Sequence, residues 1–225
     1  LSICAIAFLF ATTSSASAAL TLAPSSSYPA GSQPFDTDSA DFDNDGHKDL
    51  VSADFGSNSV SLLLGDGTGS FSAGNTFSVG SQPFSVVAAD FNRDGNQDFV
   101  TANNGSSDVS VRIGDGTGHF APTASYPVLG NVPTDVAVAD YNGDGIKDLA
   151  TANILTGDIS VLLGVGDGTF GTAVTYPAVS FTSSIVAVDV NNDGIKDLAA
   201  SNFGYINVSV LLGNGDGTFA ATTDF

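Results

Sequence analysis

Four short runs repeat one pattern of apolar and polar positions: Val60-Ser61-Leu62-Leu63-Leu64, Val109-Ser110-Val111-Arg112-Ile113, Ile159-Ser160-Val161-Leu162-Leu163 and Val208-Ser209-Val210-Leu211-Leu212. Runs this short, rich in β-branched and apolar side chains, suit strands rather than helices. Two further runs precede each of them. The first, as in Ser85-Val86-Val87-Ala88-Ala89, Asp135-Val136-Ala137-Val138-Ala139 and Ser184-Ile185-Val186-Ala187-Val188, leads into an acidic stretch; the second, as in Asp148-Leu149-Ala150-Thr151-Ala152, leaves it. A fourth run follows a glycine-rich turn. From Ala19 onward no stretch has helical periodicity, so the pattern predicts an all-β fold whose unit is four antiparallel strands, A to D. The first unit departs from it: its strand A, Asp36-Thr37-Asp38-Ser39-Ala40, is polar, which predicts looser packing there.

The acidic stretch between A and B occurs four times, beginning at Asp41, Asp90, Asp140 and Asp189, so the spacings are 90−41 = 49, 140−90 = 50 and 189−140 = 49 residues. Each copy reads D-x-[DN]-x-D-G-x-x-D. Side-chain oxygens at positions 1, 3, 5 and 9 and a carbonyl at position 7 match the ligand spacing of a calcium loop. The glycine at position 6 permits the required reversal, because it takes a positive φ without penalty. The candidate ligands are Asp41, Asp43, Asp45, His47 and Asp49; Asp90, Asn92, Asp94, Asn96 and Asp98; Asp140, Asn142, Asp144, Ile146 and Asp148; and Asp189, Asn191, Asp193, Ile195 and Asp197. His47, Asn96, Ile146 and Ile195 would contribute only their backbone carbonyls. An EF-hand needs Glu at position 12, where this chain has Ser52, Thr101, Thr151 and Ala200, and it contains no Glu. Carboxylates gathered about 4 Å apart repel by about 4 kcal/mol per pair at an effective dielectric near 20, which argues for a bound cation over a bare acidic turn. The first loop has four Asp where the others have three, and is expected to bind at least as tightly.

The second recurring motif is the turn before strand D: Gly65-Asp66-Gly67-Thr68-Gly69-Ser70-Phe71, Gly114-Asp115-Gly116-Thr117-Gly118-His119-Phe120, Gly166-Asp167-Gly168-Thr169-Phe170 and Gly215-Asp216-Gly217-Thr218-Phe219. Asp-Gly between apolar strands predicts a hairpin with positive φ at both residues, and the following phenylalanine is expected to pack between units. Asp54, Asn103, Asn153 and Asn202 end strand B and read as turn residues.

The net charge of −19, from 5 Lys+Arg and 24 acids, is mostly a property of these motifs: 13 acids lie in the loops and 4 in the turns, 13+4 = 17 of 24. Nucleic acid and anionic membrane surfaces are excluded as partners. Residues 1–18 read as the remnant of a secretory signal peptide, with an apolar run from Ile3 to Phe10 and Ala16-Ser17-Ala18 as the cleavage signal. That run is too short for membrane insertion. The absence of Met predicts a fragment or processed form. Residues 19–35 read as the last strand of a preceding unit plus linker, and 36–84, 85–134, 135–183 and 184–225 as four tandem units.

Four-stranded units repeated about every 50 residues are the pattern of β-propeller blades. The D-x-[DN]-x-D-G-x-x-D loop and the Gly-Asp-Gly-Thr-Phe turn, recurring in register over about residues 20 to 225, resemble the FG-GAP and VCBS repeats of integrin α-chain-like propellers. The resemblance implies a calcium ion between strands A and B of each blade, about four in all, and a propeller of usually seven blades, of which four units would form part. It also implies a module that binds a glycan or protein ligand. The signal-like segment and loops suited to millimolar extracellular calcium point to a secreted or cell-surface protein, and the two histidines, His47 and His119, stand beside no evident nucleophile, so no catalysis is expected. An extracellular polysaccharide lyase-like enzyme whose catalytic residues lie elsewhere, or an architectural spacer, are the alternatives.

Overall fold

The computed structural model describes residues 25–130, 132–178, 181–203 and 207–224. The signal-peptide reading of residues 1–18 lies outside the described residues. Four antiparallel sheets follow one another along the chain. The first comprises β1 (Pro34–Ala40), β2 (Asp49–Asp54), β3 (Ser59–Gly65) and β4 (Phe71–Ser78), and the second β5 (Pro83–Ala89), β6 (Asp98–Asn103), β7 (Asp108–Arg112) and β8 (Ala124–Pro127). The third comprises β9 (Pro133–Ala139), β10 (Asp148–Asn153), β11 (Asp158–Leu162) and β12 (Val174–Pro177), and the fourth β13 (Thr182–Val188), β14 (Asp197–Asn202), β15 (Val208–Leu211) and β16 (Thr223–Asp224). Strands within each sheet are ordered as in sequence. The first strands β1, β5, β9 and β13 lie side by side, so the sheets are blades splayed around a common inner edge. Among the described residues no helix is long and apolar enough to cross a membrane.

Alternation within each strand supplies both faces of a blade. In β10, Leu149 packs toward the second blade with Phe91, Val100 and Val111, while Ala150 and Ala152 pack toward the fourth with Leu198 and Leu211. Each joint centres on the phenylalanine after the glycine-rich turn. Phe120 meets Phe42 and Phe77 at ring-centroid distances of 5.7 and 4.9 Å, Phe170 meets Phe91 and Tyr126 at 5.5 Å each, and Phe219 meets Tyr141 and Tyr176 at 5.6 and 5.4 Å. These edge-on pairs add roughly 0.5–1.5 kcal/mol each beyond burial. Tyr28 makes the same contact with Phe71 at 5.4 Å. Residues 25–30 nevertheless form no strand.

The polar strand β1 is mostly exposed, as its composition predicts, with Ala40 its one buried residue, but the rest of its blade is well packed. Its blade buries Ala40, Phe42, Val51 and Val60 against Val86 and Phe99 of the second. Its aspartates are inter-blade acceptors: Val86 N donates to Asp36 Oδ2 at 3.0 Å and Ala88 N to Asp38 Oδ2 at 2.8 Å. Asp135 repeats the device, accepting from Ile185 N at 2.9 Å.

Asp54, Asn103, Asn153 and Asn202 are not exposed turn residues but buried strand ends. Thr101 Oγ1 donates to Asn103 Oδ1 at 2.9 Å, and Asn103 Nδ2 donates to Asp108 Oδ1 and Ser110 Oγ, each at 2.9 Å. In the first blade Asp54 replaces the asparagine, and Ser52 and Ser61 donate to it at 3.0 and 2.6 Å. The residue matching Asp108 is then Ser59. Each of the first three blades thus holds one carboxylate in this network, Asp54, Asp108 or Asp158. The fourth has Asn202 and Asn207 and holds none.

The turn before strand D also differs from expectation. In all four blades it spans seven residues, 65–71, 114–120, 164–170 and 213–219, closed by a bond from the second amide to the sixth carbonyl: Asp66 to Ser70, Asp115 to His119, Val165 to Thr169 and Asn214 to Thr218. Positive φ falls on the glycines at its third and fifth positions, such as Gly67 and Gly69 or Gly166 and Gly168, and not on aspartate. Asp66 and Asp115 stand second in the turn, whereas Asp167 and Asp216 stand fourth. Either way Oδ1 accepts from the amide and hydroxyl of the threonine two residues on, as Asp66 does from Thr68 at 2.8 and 2.7 Å. These bonds hold the four carboxylates below their ordinary pKa.

Candidate metal centre

Each acidic loop joins strand A to strand B at the end of its blade. Two residues take the left-handed conformation: Asn44 and Gly46 in the first loop, Arg93 and Gly95, Gly143 and Gly145, and Asn192 and Gly194 in the others. The glycine at position 6 was expected. Position 4 was not, because Asn, Arg and Gly share no obvious signal, although Asn and Gly are the residues that tolerate positive φ best.

The position-1 carboxylate closes the reversal by accepting from the glycine amide at position 6: Gly46 to Asp41 at 2.9 Å, Gly95 to Asp90 at 3.0 Å, Gly145 to Asp140 at 2.8 Å and Gly194 to Asp189 at 2.9 Å. Position 5 accepts from the amide at position 7, as Asp45 does from His47 at 2.8 Å. Position 9 opens strand B and is buried. Asp49 accepts from Phe42 N and Gly65 N, Asp98 from Phe91 N and Gly114 N, Asp148 from Tyr141 N and Gly164 N, and Asp197 from Val190 N and Gly213 N, at 2.7–2.9 Å. Gly65 is there for reach: a Cβ on it would lie 2.1 Å from Lys48 O.

In the first loop, carboxylate oxygens of Asp41, Asp43 and Asp49 lie within 4.8 Å of one another. Asp45 is not part of that group. In the other loops an asparagine stands at position 3 and donates Nδ2 to position 5: Asn92 to Asp94 at 2.9 Å, Asn142 to Asp144 and Asn191 to Asp193 at 2.8 Å. Burial raises the position-9 carboxyls of Asp49, Asp98 and Asp148, against the pull of their amide donors, and the acids at loop positions 1, 3 or 5 push the same way. Asp98 reaches about 6. A cluster of oxygen donors, negatively charged and with no sulfur or ring nitrogen among its side-chain ligands, suits a hard divalent cation.

The loop also touches the next blade. Gly118 N donates to Phe42 O at 3.0 Å and Gly217 N to Tyr141 O at 3.1 Å, so position 2 of a loop is bonded by the turn of the following blade.

The architecture is that of a partial β-propeller with one acidic loop per blade. The chain belongs to the FG-GAP-like repeat family, which matches residues 41–101, 90–151 and 147–200. No curated protein matches it. Among solved structures it is similar to BBS1N in complex with ARL6DN (TM-score 0.61, 13% identity, 88% of this chain and 57% of that one). It is also similar to an Agrocybe aegerita lectin that recognises non-reducing terminal N-acetylglucosamine (0.56, 21%, 83% and 50%) and to Kuenenia stuttgartiensis hydrazine synthase (0.61, 16%, 91% and 53%). At these identities the likeness is one of fold. The chain spans between half and three-fifths of each of these proteins.

Proposed function

We propose that this chain is a calcium-stabilised propeller segment of a secreted or cell-surface protein, and that its role is recognition of a glycan or protein ligand without catalysis. The observation that carries the calcium part is the convergence of Asp41, Asp43 and Asp49 in a loop already shaped by its own amides. Asp41, Asp43, Asp45, Asp49 and the His47 carbonyl would hold the ion in the first loop, with the corresponding residues in the other three. Bound calcium supplies positive charge that offsets carboxylate repulsion. The chain's own residues orient the oxygens: Gly46 N fixes Asp41, while Gly65 N and Phe42 N fix Asp49. Membership of a repeat family and a lectin among its structural neighbours support the recognition part. The likeness to hydrazine synthase favours a second reading, a non-catalytic segment of a larger enzyme.

Thermal melting with calcium and with chelator tests the metal. A ligand confined to the native state contributes RT ln(1+[L]/Kd), about 2.7 kcal/mol per site at a hundredfold excess over Kd. Four sites should raise the midpoint well beyond the effect of ionic strength, and an unchanged midpoint removes the metal. A glycan array read beside a polysaccharide cleavage assay tests the role: binding without new chain ends supports recognition, and cleavage overturns it.

A further inference from the structure

At the end of the blades away from the acidic loops, the sequence Gly-Ser-Gln-Pro-Phe occurs twice, at 31–35 and 80–84, while the third blade has Gly-Asn-Val-Pro-Thr at 130–134. We propose that the seam between the first two blades at this end binds a neutral saccharide, with Gln33, Asn58 and Gln82 holding its hydroxyls and the rings of Phe35 and Phe55 covering its C–H face. The proposal rests on the recognition reading above and gives it a place and a ligand class.

All four blades build this end on the same backbone. Gln33, Gln82, Val132 and Phe181 have φ of 53°, 54°, 65° and 64°. Their carbonyls accept from Phe55, Asn104, Ile154 and Phe203 at 3.0, 2.9, 3.1 and 2.8 Å. Valine and phenylalanine satisfy that backbone as well as glutamine does, so the fold does not require the amide side chains. Neither glutamine side chain makes a hydrogen bond among the described residues. Gln82 N donates to Asn58 Oδ1 at 2.8 Å, which joins the two blades and leaves Asn58 Nδ2 without a partner among them. These groups face an open depression of about 590 Å³ lined by Gln33, Phe55, Asn58, Ser81 and Gln82, within the roughly 300–1,000 Å³ range of small-ligand sites.

Beside it lies a second aromatic cluster, which spans the same two blades. Phe35 meets Phe84 at 4.6 Å and Phe55 at 4.9 Å, yet 53% of Phe35 is exposed. Exposed aromatic surface next to unengaged amides is the chemistry that takes a pyranose: ring faces cover its apolar side, and amides donate to and accept from its hydroxyls. None of the lining side chains is charged, on a chain of net charge −19, which favours a neutral sugar over an anionic one. The later seams lack the set, with Val132 beside Ser107 and Thr134 beside Ser183. The seven residues of β1 separate the depression from the first acidic loop by about 20 Å, so sugar and ion would not touch.

The test is a titration of the intact chain in saturating calcium, following side-chain amide resonances, with N-acetylchitotriose, lactose, maltotriose and mannotriose as probes and sialyllactose as the anionic control. At least one neutral probe should shift Gln33, Asn58 and Gln82. Affinity should fall at least tenfold in Gln33→Ala/Gln82→Ala, whose exposed side chains leave the melting midpoint unchanged, and likewise in Phe35→Ala, which gives up its contacts with Phe55 and Phe84 and should lower the midpoint slightly. Neutral-sugar binding undiminished in those variants overturns the location and leaves recognition standing. Tighter binding of sialyllactose overturns the ligand class. Failure of every probe to shift these amides, with capture of a protein through Phe35, overturns the saccharide and leaves recognition intact; failure of both overturns both.

Discussion

The amide of Gly118 donates to the carbonyl of Phe42 across 3.0 Å, so the second residue of one blade's acidic loop is held by the turn of the next. Phe42 also gives its own amide to Asp49 at 2.8 Å and its ring to Phe120. Ion site and blade joint therefore share one residue. Phe120→Ala, at a partly buried position, should cost about 2–3 kcal/mol of stability and weaken calcium binding in the first loop several-fold, with the loop at Asp189 little affected. Site-resolved calcium titration checks this; equal weakening of the two loops would argue against local coupling.

The buried network at the end of strand B tolerates one carboxylate per blade. Asn103→Asp would set a second one about 3 Å from Asp108 and should destabilise by about 3–5 kcal/mol at an effective dielectric near 20. Adding Asp108→Ser recreates the first blade's arrangement of Asp54 with Ser59 and should recover most of the loss. Denaturant titration of the single and double variants decides, and a double variant no better than the single refutes the exchange.

The glycines of the first turn differ in what they require. A Cβ on Gly65 would meet Lys48 O at 2.1 Å, whereas one on Gly69, with φ of 88°, meets nothing within 4 Å. Gly65→Ala should cost on the order of 3–5 kcal/mol and weaken the first calcium site, because Gly65 N also orients Asp49. Gly69→Ala should cost only the left-handed backbone penalty, about 1–2 kcal/mol. Equal losses by thermal melting would contradict the assignment.

Two groups of aspartates give the metal-free chain opposite pH responses. Asp98 has its pKa raised from 3.8 to about 6, chiefly by burial, so its contribution is complete below pH 3.8 and lost as pH rises through 6. Asp66, Asp115, Asp167 and Asp216 are lowered, chiefly by threonine hydroxyls; their contribution is complete above pH 3.8 and lost as pH falls through the lowered values. In chelator the melting midpoint should therefore peak near pH 4 and decline toward neutrality. Asp98→Asn should flatten part of that decline, and calcium should reverse it. A chelated midpoint that climbs steadily from pH 4 to 7 would be inconsistent with a buried, protonatable Asp98.

Strand order, the four acidic loops and the packing role of Phe120, Phe170 and Phe219 were legible because each depends on local alternation or fixed spacing. What escaped depends on partners distant in sequence. Asp36 and Asp38 look like a defective strand until Val86 N and Ala88 N are seen to need acceptors. Asn103 looks like a turn residue until Ser110 and Asp108 close around it. The glycine-rich turn misled through its strongest signal: Asp66 and Asp167 sit two positions apart in the same seven-residue loop, and an aspartate can cap it from either place. Proline-phenylalanine at 34–35 and 83–84 gave no hint that the preceding glutamines are left-handed, since glutamine has no preference for that conformation.

Asp36 and Asp38 grip the second blade by side chain, and among the described residues no main-chain ladder runs from one sheet into the next. Every blade keeps its own complete set of strand pairings, and a whole unit can be duplicated, lost or exchanged without shifting the register of those that remain. A wheel assembled this way can change its circumference over evolutionary time as a chain does its links, by whole modules.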